Sequence, residues 1–502
     1  MRRFATSLAA FGLWLCAAAA PAVALDPEAL RRDLIEGLEH GLSVYARQGI
    51  EYGEIKTTAR GEAVRVEITG LAMPLPDFGG RAELGDVAFT VAGAGEGQYR
   101  VSDVRAPAQI TIVAHDGSQV ALANYRLEHL TGVWSSLLVS FLDLDLAVGD
   151  LEILVPEGNF AAQLKRLAVR NRYTPGAEGL TDQTSTMRAQ GLRALLPAQG
   201  TFQIEEIQGE SVIEGMDMAA YRTLAEELRA LDGGASGAGA PPDRAVLAKL
   251  IERLRDINIF PRRAVERVEV RGIALADQAN SPVFRLEEIE IDSTGEDLNG
   301  PLAAGSMGMR YGGLRIEEPG PAQALVPTDA GFILSVERVP MRSLWQVMLT
   351  SLALAAAAPE PNPNADALGE AMGAEMMDAV TQAGTRFLLD RLHTESPSGQ
   401  ITGKGLFEMD AATPLGVKGG LELTITGLDR MIAIATQAAG NGAEGQLGAA
   451  GGVMFLMMLK GMARREAGAN GAPVDRFDIR LSPDGQFLVN GQPMGMLSGP
   501  QQ

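Results

Sequence analysis

Apolar and polar residues alternate along much of this chain. Val64, Val66 and Ile68 take every second position, as do Val87, Phe89 and Val91, and Leu142, Leu144, Leu146 and Val148. Phe202, Ile204 and Val212 continue the pattern, so strands are predicted from about residue 52 to 214. A period of two gives each strand one buried face and one wet face, the habit of antiparallel sheets. Gly93 to Gly97, Asp116-Gly117 and Gly149-Asp150 read as turns between them.

Helical spacing brackets these strands. Leu30, Leu34, Leu38 and Val44 predict a helix over 26–48, started by Asp26-Pro27. Tyr221, Leu224, Leu228 and Leu231 predict another over 216–231. Over 244–257, Val246, Leu247, Leu250, Ile251 and Leu254 face one way and Lys249, Glu252, Arg253 and Arg255 the other. Strands resume near Arg262. Helices are predicted over 341–358 and 365–392, parted by the proline-rich 359–364. Strands over 401–409 and 417–426 follow, then a mostly helical 428–465 with a glycine-rich interruption near 440–452. A terminal hairpin turns at Ser482-Pro483-Asp484-Gly485.

The chain also repeats itself. Arg65-Val-Glu-Ile-Thr-Gly-Leu-Ala-Met73 aligns with Arg267-Val-Glu-Val-Arg-Gly-Ile-Ala-Leu275, and Leu423 to Leu428 is a weaker third copy. Each full copy is preceded by a helix and followed by a second alternating segment, which points to duplication. The division predicted is a leader over 1–24, a β-rich half over 25–231 with its leading helix, a flexible linker over 232–242, and a second half over 243–502 carrying related strands, methionine-rich helices and the hairpin.

The leader changes the picture most. Arg2 and Arg3 precede an apolar run from Phe4 to Ala20, and Ala22-Val23-Ala24 offers small residues for cleavage. That is the layout of a cleaved secretory signal, too short for a comfortable span; an uncleaved anchor is the alternative. Export to a periplasm is the expected localisation. Cleavage would remove Cys16, the only cysteine, leaving neither disulfides nor thiolate metal sites. The net charge of −20 disfavours nucleic acid and anionic membrane surfaces as partners, as whole-molecule electrostatics. An apolar content of 46% supports a real core.

Little catalytic chemistry is legible. His40, His115, His129 and His393 do not pair at metal spacing. Asp143, Asp145 and Asp150 read as the wet face of a strand, without a calcium-loop spacing. Gly93 to Gly97 lacks the lysine and hydroxyl residue of a phosphate loop. No catalytic residue, cofactor or metal is expected, and an enzyme is the least favoured class. One constellation stands out: residues 341–462 hold 11 of the 20 methionines. Methionine-rich surfaces adapt to varied apolar partners. The candidate groove residues are Trp345, Met348, Met376, Met377, Phe387, Met454, Phe455 and Met458. A plain core role for the same helices is the competing reading.

The ending Val474-Asp-Arg-Phe-Asp-Ile-Arg-Leu-Ser-Pro-Asp-Gly-Gln-Phe-Leu-Val-Asn-Gly491, after a Met/Leu-rich helix, resembles the tail of an uncharacterised family of exported Gram-negative proteins. The paired RVEITGLAM and RVEVRGIAL segments resemble strand signatures of AsmA-type and YdgA-type envelope proteins. The resemblance implies a periplasmic β-rich fold with packed helices and, from the AsmA-type likeness, an extended sheet with a lipid-accommodating groove. The reading is an α+β fold of long, curved antiparallel sheets with helices on the inner face, in two related halves. The expected function is a non-enzymatic envelope protein binding a lipid or other apolar ligand. The alternative is a structural or protein-interaction module of the envelope with a closed core. No stable membrane span is expected.

Overall fold

The computed structural model describes residues 26–28, 30–32, 35, 50–75, 80–95, 97–135, 140–155, 161–196, 200–224, 244–317, 321–357, 365–440, 446–468 and 471–496. The predicted leader, the linker at 232–242 and most of the first helix lie outside them. The protein is an α+β fold, mostly long antiparallel strands with 21% helix. It divides into two compact units, Met1–Val246 with Ala276–Ser281, and Leu247–Leu275 with Pro282–Gln502.

The first unit holds ten strands: β1 (Ile55–Arg60), β2 (Ala63–Leu75), β3 (Gly80–Gly95), β4 (Gln98–Arg105), β5 (Gln109–Ala114), β6 (Gln119–Ser135), β7 (Ser140–Leu154), β8 (Ala161–Pro175), β9 (Thr181–Leu196) and β10 (Gly200–Met216). β1, β2 and β3 pair in chain order. β4 and β5 share the slot between β3 and β6, each pairing with both. They are in effect one strand broken at Pro107, which has no N–H to give a ladder. From β6 to β10 every strand pairs with its chain neighbour.

The alternating apolar residues of β1 to β7 meet in one core. Val64, Val66, Ile68, Phe89, Val101, Trp134, Phe141 and Leu146 are all buried in it. Trp134 and Phe141 meet edge to face, with ring centroids 5.1 Å apart. Burial of each such side chain stabilises the fold by about 1.5–3 kcal/mol. Leu30 joins this core from the leading helix, and Arg31 Nε donates to the Ile55 carbonyl at 2.9 Å.

The alternation slips phase within the strands. Val148 and Leu151, Leu164 and Leu167, Ala189 and Leu192, and Ile204 and Ile207 are three apart rather than two. Val148, Leu167, Ala189 and Ile207 nevertheless lie in one cross-strand row. Beyond the slip, Leu151 faces Leu164 and Leu192 faces Ile204. An extra residue in each strand restores the apolar set to one side of the sheet. Left-handed backbone marks the slip at Asp150 (φ 51°) and Gly191 (φ 66°). Gly149-Asp150 is therefore not the turn that its composition predicts; it lies inside β7. The glycine of the sequence repeat makes the same step. Gly70 in β2 has φ 59°, and its counterpart Gly272 has φ 63°. Gly70 N–H donates to Asp86 Oδ1 at 2.9 Å, so the bulge keeps a partner.

The second unit carries β11 (Arg263–Ala276), β12 (Pro282–Glu296), β13 (Ala303–Gly312), β14 (Arg315–Ile316), β15 (Asp329–Val339), β16 (Arg386–Ser396), β17 (Gly399–Met409), β18 (Val417–Thr426), β19 (Arg464–Ala467), β20 (Pro473–Leu481), β21 (Gln486–Val489) and β22 (Gln492–Met496). Among these, β12–β13–β15–β16–β17–β18–β20 pair in that order, all antiparallel. The named helices are α1 (Arg244–Asp256), α2 (Met341–Ala357), α3 (Ala365–Ala383), α4 (Leu428–Gly440) and α5 (Gln446–Met462). Leu250, Ile251 and Leu254 of α1 are buried. The Leu254 carbonyl accepts from Trp345 Nε1 of α2 at 3.3 Å, and Trp345 meets Phe260 edge to face.

The helix predicted over 365–392 stops at Ala383. Gly384 (φ 60°) breaks it, and the N–H groups of Gly384 and Thr385 bond back to Thr381 and Val380. Phe387, Leu388 and Leu389 then pair with Val336, Ser335 and Leu334. Their apolar spacing suits helix or strand; the waiting edge of β15 decides. The terminal turn closes as predicted, with Gly485 N–H donating to the Ser482 carbonyl at 2.9 Å.

Candidate functional site

Residues directly opposite in an antiparallel ladder share a face. In the second unit this rule sorts the sheet into two sides of different character. One row runs Ile291, Met309, Phe332, Leu392, Gly403, Leu423 and Phe477 from β12 to β20. The next runs Ser293, Met307, Leu334, Leu389, Gly405, Leu421 and Ile479. Val336, Phe387 and Phe407 add a third. None of these residues is charged. Six inter-strand spacings make each long row about 29 Å. The opposite side is charged: Arg310 pairs with Glu290, Arg267 with Glu290 at 2.6 Å, Lys404 with Glu422 at 3.3 Å, and Arg480 with Asp478 at 2.8 Å.

Cover on the apolar side is uneven. At the β17–β18–β20 end, Ile401, Leu423, Ile425, Phe477 and Ile479 pack with Leu428 and Met431 of α4 and with Leu456, Leu459 and Met462 of α5. On β12, β13, β15 and β16 the face is open: Ile291, Met307, Met309, Leu334 and Phe387 are each 36–46% exposed. Five large apolar side chains in register, left in water, form a patch that soluble proteins rarely leave without a use.

The candidate groove residues fall into three places. Phe387 lies on β16, in the row of Val336 and Phe407. Trp345, Met348, Met376 and Met377 lie on α2 and α3, with Met348 and Met377 exposed and Trp345 and Met376 half-buried. Trp345 is engaged with Phe260 and α1 rather than free for a ligand. Met454, Phe455 and Met458 lie on α5, all exposed. Sequence reasoning missed Ile291, Met307, Met309 and Leu334. Their signal was present in the alternation, but only cross-strand register shows that they share one face.

Many of the charged groups are ion-paired. On the first unit's wet face Asp145 accepts from His129 at 2.7 Å and pairs with Arg170 at 3.2 Å; Arg172 lies 4.0 Å from Asp143, and Arg126 pairs with Asp150 at 2.9 Å. Burial disfavours charge on Asp145, but the bonds from His129 and Arg170 outweigh it and hold the carboxyl below its ordinary range. A hollow of about 490 Å³ lies over Asp143, Asp145, Arg170, Arg172, Thr184 and Thr186. Each of its charged groups already has an opposite charge beside it, which suits a surface ladder. His393 lies 3.3 Å from Gln400 Nε2 and His115 is exposed. Among the described residues no group of three or more His, Cys, Asp or Glu side chains could hold a metal.

No helix among the described residues is long and apolar enough to cross a membrane. Comparison of the chain with family models, curated proteins and solved structures finds no match.

Proposed function

We propose that this protein is a non-enzymatic component of the bacterial envelope that holds acyl chains against the apolar face of its second unit. The carrying observation is the set of partly exposed Ile291, Met307, Met309, Leu334 and Phe387, which lie in three adjacent cross-strand rows that carry no charged residue. Apolar ligand sites are concave or extended surfaces with few polar groups. Along the two long rows the one hydrogen-bonding side chain is Ser293, a hydroxyl not ionised at neutral pH. The methionines suit a ligand of variable shape, because their side chains repack at low cost.

The export reading belongs to the same proposal and rests on the leader-like Arg2 to Ala24. Cell fractionation with N-terminal sequencing tests it; protein retained in the cytoplasm with its leader intact refutes it. Lipid extraction and native mass spectrometry of protein purified from the periplasmic fraction test the ligand. Bound acyl lipid is expected, with loss of uptake in Leu334→Asp and Phe387→Asp. Both positions are half-open, so neither substitution should unfold the protein. Ligand-free protein that takes up no fluorescent fatty acid refutes the lipid reading. A structural module is the second reading, favoured by the closed core of the first unit. It calls for a stable protein partner in crosslinking.

A further inference from the structure

We propose that Met307 and Met309 form a reversible oxidation site that switches the apolar sheet face off, a proposal that rests on the acyl-chain reading above. Both lie on β13, two apart, and so stand on the same side of the sheet. Met307 sits between Ser293 and Leu334, and Met309 between Ile291 and Phe332. They are 46% and 36% exposed, so a dissolved oxidant can reach both sulfurs. Met216 and Met431 are 5% and 8% exposed, so the same reagent is kept from theirs. No cysteine lies among the described residues. The exposed thioethers are therefore the sulfurs that a two-electron oxidant meets, with no thiol to compete.

The oxidant is of the peroxide class. The methionine sulfur attacks one peroxide oxygen, and an S–O bond forms as the O–O bond breaks. The second oxygen leaves as water after taking the proton from the first. Sulfur is oxidised to the sulfoxide and the peroxide is reduced. The product replaces a soft apolar group with a polar S=O that accepts hydrogen bonds. Its neighbours cannot satisfy it: among Ile291, Ser293, Phe332 and Leu334, Ser293 alone has a side-chain donor. An acyl chain laid over these rows would bury two sulfoxides with one donor between them, which opposes binding. Water satisfies both when the face is empty. Oxidation therefore favours the empty face, and reduction to the thioether restores the apolar one. The methionines of α5 provide the contrast. Met454, Met457 and Met458 are each more than half exposed, yet belong to none of the three rows.

The test treats the full chain with hydrogen peroxide, maps oxygen gain by peptide mass spectrometry, and measures uptake of a fluorescent fatty acid before and after. Met307 and Met309 should gain one oxygen each while Met216 and Met431 gain none, and uptake should fall about tenfold. Methionine sulfoxide reductases of both stereospecificities, supplied with dithiothreitol, should restore it. Met307→Leu/Met309→Leu nearly conserves volume and should keep its uptake after peroxide. Met454→Leu/Met457→Leu/Met458→Leu should lose uptake as the parent does. Met307 and Met309 left unmodified while the α5 methionines are oxidised overturns the proposal. So does unchanged uptake after both are oxidised, or a loss that Met307→Leu/Met309→Leu shares. Those results leave the acyl-chain reading intact, because the untreated parent still takes up ligand. An untreated parent that takes up none refutes that reading, and the switch with it.

Discussion

Gly427 and Gly70 both hold left-handed backbone, but their surroundings differ. A Cβ at Gly70 would meet nothing nearer than the Gly53 nitrogen at 3.8 Å, whereas at Gly427 (φ 79°) it would lie 2.3 Å from the Ser398 carbonyl oxygen. Gly70→Ala should therefore cost only the backbone strain, about 1 kcal/mol. Gly427→Ala should cost about 3 kcal/mol or more, because a backbone oxygen cannot step aside. Denaturant unfolding of the two variants checks the order. Tyr125 offers a pH test. Burial pushes its phenol from 10.0 up to about 12. The folded state resists ionisation that the unfolded chain accepts at its ordinary value. The stability that the neutral phenol contributes is complete below pH 10 and declines as pH rises from 10 towards 12. Absorbance titration of the parent and Tyr125→Phe should show one late-ionising tyrosine lost in the variant.

At the scale of elements, large apolar side chains do opposite work in different places. Trp134 is 1% exposed, and Trp134→Ala should cost about 3–5 kcal/mol through the cavity it leaves. Met454→Ala on the outer face of α5 should change stability by no more than about 0.5 kcal/mol, as surface substitutions do. Thermal unfolding of both variants checks the contrast. This contrast also measures what could be read from the residues alone. Alternation located the strands, because Val64, Val66 and Ile68 have no other good use. It misplaced Gly149-Asp150 as a turn, since a bulge and a turn draw on the same residues. It ran α3 on through Phe387, Leu388 and Leu389, whose spacing suits either period until β15 provides a partner. The candidate groove was half legible. Methionine-rich helices announce apolar surface, but an apolar stripe looks the same facing core, water or lipid. Met307 and Leu334 become neighbours only once the register of β13 and β15 is known.

Within each unit the ladder links mostly strands near in sequence, and this governs how the molecule should come apart. In the first unit β7, β8 and β9 each pair with the strand before and after, while the buried residues concentrate between β1 and β7. Amide hydrogen exchange should accordingly be slowest in β2, β3 and β6 and quicken step by step towards β9, as in arrays stabilised by nearest neighbours. Uniform protection from β2 to β10 would refute that gradient. The row Val148, Leu167, Ala189 and Ile207 adds one thing more. Excising β8 and β9 together would leave β7 and β10 running in opposite directions, with Val148 able to take Ile207 as its new neighbour. The architecture can be lengthened or shortened a hairpin at a time without being redesigned, so the span of apolar surface is a quantity that simple duplication or loss of a hairpin could tune.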